Sequence, residues 1–177
     1  MTFRILAISD THFSGPEMAE FCMKFLEKDS YDVIVHAGDF DRKESYEVLK
    51  EFCEERGIEL LAVRGNCDRF DLEEVLLIES GESRSSEGSG GLRIAAKHEP
   101  VMEDCSDMYY LARELEADLL VFGHIHRFAV VSSKPLVFCP GAVKKGQFAV
   151  IEVDDSHLLT LRFFEGGKEV DSAVFEV

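Results

Sequence analysis

The chain has 177 residues, 46% of them apolar and 14 of them phenylalanine, enough for one domain that buries roughly two-thirds of its unfolded surface without disulfide staples. Lysine and arginine number 19 against 35 aspartates and glutamates, a formal net charge of −16, so a polyanion such as duplex DNA is repelled over most of the surface and an anionic substrate must meet a locally positive site. Five cysteines (Cys22, Cys53, Cys67, Cys105, Cys139) are scattered with no CxxC pair, which argues against a disulfide framework or zinc knuckle and for a reducing, cytoplasmic setting.

The apolar N-terminal stretch is too short for a signal core and runs straight into Asp10. It reads as a buried strand over Phe3–Ser9. Pro16 sits where a first helical turn begins, with Ala19, Cys22, Met23 and Leu26 following at helical spacing. A second strand is predicted over Tyr31–His36, a helix over Lys43–Arg56 with Gly57 as its stop, and a third strand over Ile58–Val63. This β-α-β-α-β order predicts a parallel sheet with right-handed crossovers. Glu74–Ile78 and Leu92–Lys97 read as further strands, separated by a polar Ser/Gly-rich stretch (80–91) expected to be a mobile loop. A helix over Ser106–Glu116 leads into a strand over Asp118–Phe122. The remainder is strand-rich: Phe128–Ser132, Leu136–Phe138, Phe148–Val153, Leu158–Phe164 and Glu169–Phe175, the last two joined by a hairpin turn at Gly166-Gly167. No apolar run approaches the ~20 residues of a membrane span. No linker divides the chain, so a single domain over residues 1–177 is expected.

Metal-capable side chains fall at the ends of five of these apolar runs: Asp10-Thr11-His12, Gly38-Asp39, Gly65-Asn66-Cys67-Asp68, His98, and Gly123-His124-Ile125-His126. In open α/β sheets ligands collect outside the carboxyl ends of strands, so the repeated order of buried strand, small residue and ligand converges imidazoles and carboxylates on one rim. Taken singly each piece has a plainer reading, as a helix cap, a turn or a solvated strand end; together they do not. Imidazole, carboxylate and amide donors without a thiolate cluster suit Mn, Fe, Ni or Zn better than Ca. Seven donors exceed one tetrahedral site, and two ions sharing a carboxylate account for them.

The ordered blocks Asp-x-His, Gly-Asp, Gly-Asn-x-Asp, His and Gly-His-x-His resemble the calcineurin-like metallophosphoesterases, in particular their small bacterial and archaeal phosphodiesterase branch. The resemblance implies an α/β fold of two packed mixed β-sheets flanked by helices, a four-layer α/β/β/α sandwich. It implies a phosphodiesterase acting on small phosphate esters or nucleotides, with two divalent ions, manganese foremost. One would take Asp10, His12, Asp39 and His126; the other would take Asp39, Asn66, His98 and His124. A hydroxide between them would attack phosphorus in line, with Asn66, Cys67 and Asp68 as the catalytic block. No long nucleic acid and no membrane is expected as partner, and a homo-oligomer is left open. A trafficking-coat subunit of the same fold serves protein contacts, so a non-catalytic scaffold is the competing reading.

Two positions depart from the family pattern. Cys67 stands where many relatives have histidine, and is read either as a weaker donor to the leaving group or as a packing residue. Glu99 stands where relatives often have glycine, and is read as restricting substrate access or as bonding to a ligand from behind. Asp68 is read as an orienter or a turn former, His36 as a satisfied core histidine, and His157 as simply exposed. Pro140-Gly141-Ala142 either borders the substrate or is a plain turn. The polar loop enters the strand at the end opposite His98, so it is not expected to act as a lid, and deleting Ser83–Gly90 is expected to leave the catalytic constants nearly unchanged.

Overall fold

The computed structural model describes residues 2–80, 91–156 and 158–176. The predicted loop therefore lies largely, and His157 wholly, outside the described residues. Strand β1 (Phe3–Ile8), helix α1 (Gly15–Lys24), β2 (Val33–His36), α2 (Lys43–Arg56) and β3 (Glu59–Ala62) form the first half. Then come β4 (Val75–Ser80), β5 (Leu92–Lys97), α3 (Ser106–Glu114), β6 (Leu119–Phe122), β7 (Phe128–Ser133) and β8 (Leu136–Pro140), followed by β9 (Gln147–Val153), β10 (Leu158–Glu165) and β11 (Lys168–Glu176).

One sheet has the order β11-β10-β9-β1-β2-β3 and the other β4-β5-β6-β8-β7. In the first, β1, β2 and β3 are parallel and β9 joins β1 antiparallel; in the second, β5, β6 and β8 are parallel. The period-two alternation of strand side chains sorts the core into layers. Ile5, Val33, Val35 and Leu61 from one sheet meet Ile94, Ala96, Leu119, Val121 and Phe138 from the other. The alternate residues Leu6, Ile8 and Ile34 face Met18, Cys22, Leu49 and Phe52 of α1 and α2. On the far side Ala95, Leu120, Phe122 and Val137 face Met108 and Ala112 of α3. Both faces of both sheets are thus covered in the central strands, giving the expected α/β/β/α sandwich and explaining why β2 and β6 are buried throughout.

Local chemistry agrees with these elements. Ser14 caps α1 in a reciprocal capping box with Glu17, and Pro16 occupies the first turn, a cap that contributes about 1 kcal/mol. Helix α2 ends at Gly57, whose N–H closes on the last carbonyls. Helix α3 stops two residues before the predicted Glu116, which has a left-handed φ of 51°, while Ala117 N–H bonds back to Ala112 O at 2.9 Å. Ser80 pairs with Leu92 at one end of the β4–β5 ladder and Val75 with Lys97 at the other, so the chain leaves and re-enters that ladder at the end away from His98. All five cysteines are free, and no helix among the described residues is long and apolar enough to cross a membrane.

Candidate metal centre

The carboxyl ends of β1, β2, β3, β5 and β6 share one edge of the sandwich, because these strands run parallel within their sheets and the sheets pack face to face. Each delivers its predicted residues there: Asp10 and His12 after β1, Asp39 after β2, Asn66 after β3, His98 after β5, His124 and His126 after β6. All seven are brought together.

Asp10 and Asp39 lie at the middle and are almost completely buried. Asp10 Oδ2 accepts from Ser9 Oγ at 2.6 Å and from His124 N–H at 3.1 Å. Its Oδ1 faces His126 Nε2 at 2.9 Å, His12 Nε2 at 3.9 Å and His98 Nε2 at 4.0 Å. Asp39 Oδ1 accepts the Cys67 N–H at 2.8 Å, while Oδ2 faces His98 Nε2 at 3.4 Å and His12 Nε2 at 3.7 Å. Asn66 Oδ1 stands 2.9 Å from His98 Nε2 and 3.2 Å from His124 Nδ1.

Two imidazoles are held from behind by oxygen. His98 Nδ1 meets the Ala37 carbonyl at 2.6 Å and His12 Nδ1 meets Asp41 Oδ1 at 2.8 Å, while His124 Nε2 has only a 3.5 Å ionic contact with Glu99 Oε1. A carbonyl or carboxylate only accepts, so in the neutral ring that nitrogen carries the proton and the other is bare. The bare nitrogens then point at the oxygens of Asp10, Asp39 and Asn66, an arrangement of facing lone pairs that is repulsive until a cation or a proton stands between them. Two ligands of one cation with ~2.1 Å bonds stand roughly 3–4 Å apart, and the nitrogen–oxygen separations here run from 2.9 to 4.0 Å. Among the described residues no Lys or Arg pairs with either central carboxylate; their charged partners are histidines. The donor set therefore fits divalent cations, and the trios Asp10–His12–His126 and Asp10–Asp39–His98 each present ligand atoms within 4.8 Å of one another.

The protonation tendencies follow from the same geometry. For Asp39, burial pushes the carboxyl upward, but the bonds with His98 and the Cys67 N–H outweigh it and hold the pKa far below the carboxylate range. For His98, burial works against the imidazolium, and the Asp39 bond with the Asp10 and Asp39 charges outweighs it, raising the pKa. Burial first, then the Asp39, Asp41 and Asp68 carboxylates, push the Cys67 thiol up to about 11, so it is protonated at neutral pH.

Holding these groups strains the backbone. Of the eight non-glycine residues with left-handed φ among the described residues, five are Asp10 (53°), His12 (50°), Asp39 (63°), His124 (72°) and His126 (52°), and a sixth is Asp41 (69°). Such conformations cost about 1–3 kcal/mol each and collect where function requires them. Two glycines make room: a Cβ at Gly65 would collide with Asp39 Oδ1 and N, and one at Gly123 would collide with Ser9 Oγ and lie 2.9 Å from His98 Nδ1.

The other sequence-singled residues are placed as follows. Asp68 is turned to backbone: it accepts the N–H groups of Gly65 (2.7 Å), Asp39 (3.0 Å) and Asp41 (2.9 Å), bonds that both close its own turn and tie it to the Asp39 segment. Cys67 does face it, with Sγ in a trio with His12 and Asp39 within 4.8 Å. His36 is a satisfied core histidine: Nδ1 accepts from Gly38 N–H at 3.2 Å, so Nε2–H donates to Thr11 Oγ1 at 3.0 Å, and the ring stacks on Phe40 at 3.6 Å. After Pro140-Gly141-Ala142, Lys144 N–H bonds Asp10 O at 3.3 Å and Lys145 Nζ bonds His126 O at 3.1 Å, so this segment braces the rim. Sequence reasoning missed Ser9, Ala37 and Asp41. Asp41, two residues beyond Asp39 in Asp-Phe-Asp, carried the one available signal.

Comparison with known proteins bears on the family and the fold. The chain is 24% identical over 176 residues to the probable metallophosphoesterase YsnB of Bacillus subtilis, covering 94% of each. It is 28% identical over 128 residues to a probable metallophosphoesterase of Methanocaldococcus jannaschii, covering 71% of this chain and 59% of that one. Among solved structures, a conserved protein of Streptococcus pneumoniae described as a predicted phosphoesterase superposes with a TM-score of 0.71 at 23% identity, covering 100% of this chain and 99% of that one. A variant of Vps29 from Entamoeba histolytica superposes with a TM-score of 0.72 at 21% identity, covering 98% and 100%. The calcineurin-like phosphoesterase superfamily domain matches residues 3–156, and the chain belongs to that family.

Proposed function

We propose that the protein is a dinuclear metal-dependent phosphodiesterase acting on small phosphate esters or nucleotides. The observation that carries this reading is the convergence of His12, His98 and His126 ring nitrogens on the buried oxygens of Asp10 and Asp39, with no Lys or Arg among the described residues paired to either carboxylate. One ion would be held by Asp10, His12, Asp39 and His126, and the other by Asp39, Asn66, His98 and His124. Asp39 is suited to be shared, because the same Oδ2 faces both His12 and His98. Manganese is the first choice, with Fe, Ni or Zn suiting the same donors. When bound, the pair would supply an activated water and withdraw charge from the phosphate.

The chain's own groups complete the chemistry. Asp41 and Ala37 O orient the His12 and His98 rings from behind, so these ligands need not reorganise. Cys67, protonated and beside His12 and Asp39, presents a weak S–H donor toward a departing oxygen. Asn66 joins the His98 and His124 side through Oδ1, with Nδ2 turned to Cys67 Sγ at 3.7 Å. The charge of −16 favours small substrates over polymers.

The test is Mn²⁺-stimulated hydrolysis of an aryl phosphodiester by the wild type and by Asp39→Asn. Loss of at least a thousandfold in the variant, with both proteins folded, supports the reading. A wild type that binds Mn²⁺ without turning over any ester would instead favour a protein-interaction scaffold.

A further inference from the structure

Glu99 is the first residue of the connection between β5 and α3 after His98, and the backbone on both sides of it is tied down. Gly123 N–H donates to His98 O at 2.9 Å and Cys105 N–H to Met102 O at 2.9 Å. Asp107 accepts the N–H groups of Val101 (2.8 Å) and Met102 (3.1 Å). The Glu99 side chain is 54% exposed, and its ionic partner is His124, with Oε1 at 3.5 Å from Nε2. No Lys or Arg among the described residues pairs with it. On the other side of the same ring, Nδ1 faces Asn66 Oδ1 at 3.2 Å. An unneutralised carboxylate therefore stands one imidazole width behind the donors of the His98–His124 half of the centre.

We propose that Glu99 selects phosphodiester monoanions over phosphomonoester dianions at this centre, a specificity role that rests on the phosphoesterase reading above. A diester brings one negative charge to the cations and a monoester at alkaline pH brings two. The second charge meets Glu99 across several ångströms of partly desolvated space, where like-charge repulsion amounts to a discrimination on the order of tenfold. The site thus contains a repulsive element as well as attractive ones. Glu99 Oε1 also lies 3.5 Å from His124 Nε2, a positioning contact that any polar group of the same reach would keep. Glutamine keeps that contact and removes the charge, so Glu99→Gln separates the two roles.

The experiment compares the Mn²⁺-loaded wild type and Glu99→Gln in alkaline buffer. One arm measures kcat/KM for p-nitrophenyl phosphate and bis(p-nitrophenyl) phosphate. The other measures calorimetric affinity for phenylphosphonate, a dianion, and its monomethyl ester, a monoanion. The expected result is a rise of about tenfold in the monoester-to-diester ratio, in both rate and affinity, in the variant. Equal changes for both charge types, or an unaltered ratio, would overturn the proposal. If the wild type turns over neither ester but the affinity ratio still shifts, the phosphoesterase reading falls and charge selection stands. Mn²⁺-dependent turnover with neither ratio moving removes charge selection alone.

Discussion

The Asp68 carboxylate accepts the backbone N–H of Asp39 at 3.0 Å, so a side chain that does not face the centre fixes a residue whose carboxylate stands at its middle. With Gly65 and Asp41 it ties the β2 and β3 connections to each other. Replacing Asp68 by alanine leaves three N–H groups without their acceptor. We expect a loss on the order of 3 kcal/mol in unfolding free energy and roughly 10–100-fold weaker Mn²⁺ binding. Urea denaturation and calorimetric Mn²⁺ titration check both. Lost stability with unchanged metal affinity would show that Asp68 is only a turn former.

Gly65 has no such latitude, since any Cβ there meets Asp39 Oδ1 and its backbone nitrogen. The collision is with the backbone and with a carboxylate held at 2.8 Å by Cys67 N–H, neither of which can swing aside. Gly65→Ala is therefore expected to keep the fold, because the position lies beyond the end of β3, but to displace Asp39. A displacement near 1 Å costs about a hundredfold in rate. Circular dichroism should be unchanged while kcat falls by about that factor; a fully active alanine variant would contradict the geometry.

His36 predicts an acid sensitivity of the fold itself. Burial, followed by the nearby His98, lowers its pKa from 6.5 to about 3, so the folded state holds it neutral. The unfolded chain takes up a proton near pH 6.5 and the folded chain does not. The stability from His36 is complete above that pH and is lost as pH falls from 6.5 toward 3, with a slope of up to about 1.4 kcal/mol per unit. Metal-free wild type and His36→Gln should differ most in unfolding free energy at neutral pH, the gap narrowing between pH 6 and pH 4. Parallel pH profiles for the two proteins would refute this.

Why so much of the centre was readable lies in the parallel strands. A strand buried on both faces is a continuous apolar run, so the ends of Phe3–Ile8, Val33–His36 and Leu119–Phe122 stand out against the ligands that follow them. What holds the ligands was less readable. The Ala37 carbonyl on His98 has no side-chain signature, and it arises from the register that sets Ile8 opposite His36 and from the packing of the second sheet over the first. Nor did the sequence reveal that β9 would insert beside β1 while β8 joined β6, because strand alternation specifies a face and not a partner. Two helices ended earlier than their apolar spacing suggested: α1 stops at Lys24, leaving Leu26 in a separate 3-10 turn, and α3 stops before Glu116, which takes a left-handed backbone.

Cys67 offers the sharpest test of how the leaving group departs. Its Sγ lies with His12 and Asp39 at the centre, and its thiol, pushed up to about 11, is protonated but a poor donor to an oxygen that is gaining charge. An imidazole, with a reference pKa near 6.5, is better matched to proton transfer at neutral pH, an effect worth on the order of a hundredfold. Activated aryloxides leave without help and alkoxides do not. Cys67→His should therefore accelerate alkyl diesters by about that factor, leave activated aryl diesters much less changed, and flatten the dependence of rate on leaving-group pKa. The backbone N–H that holds Asp39 at 2.8 Å is retained in the variant, so Mn²⁺ affinity serves as the control. A leaving-group series with the same slope in both proteins would reduce Cys67 to a packing residue.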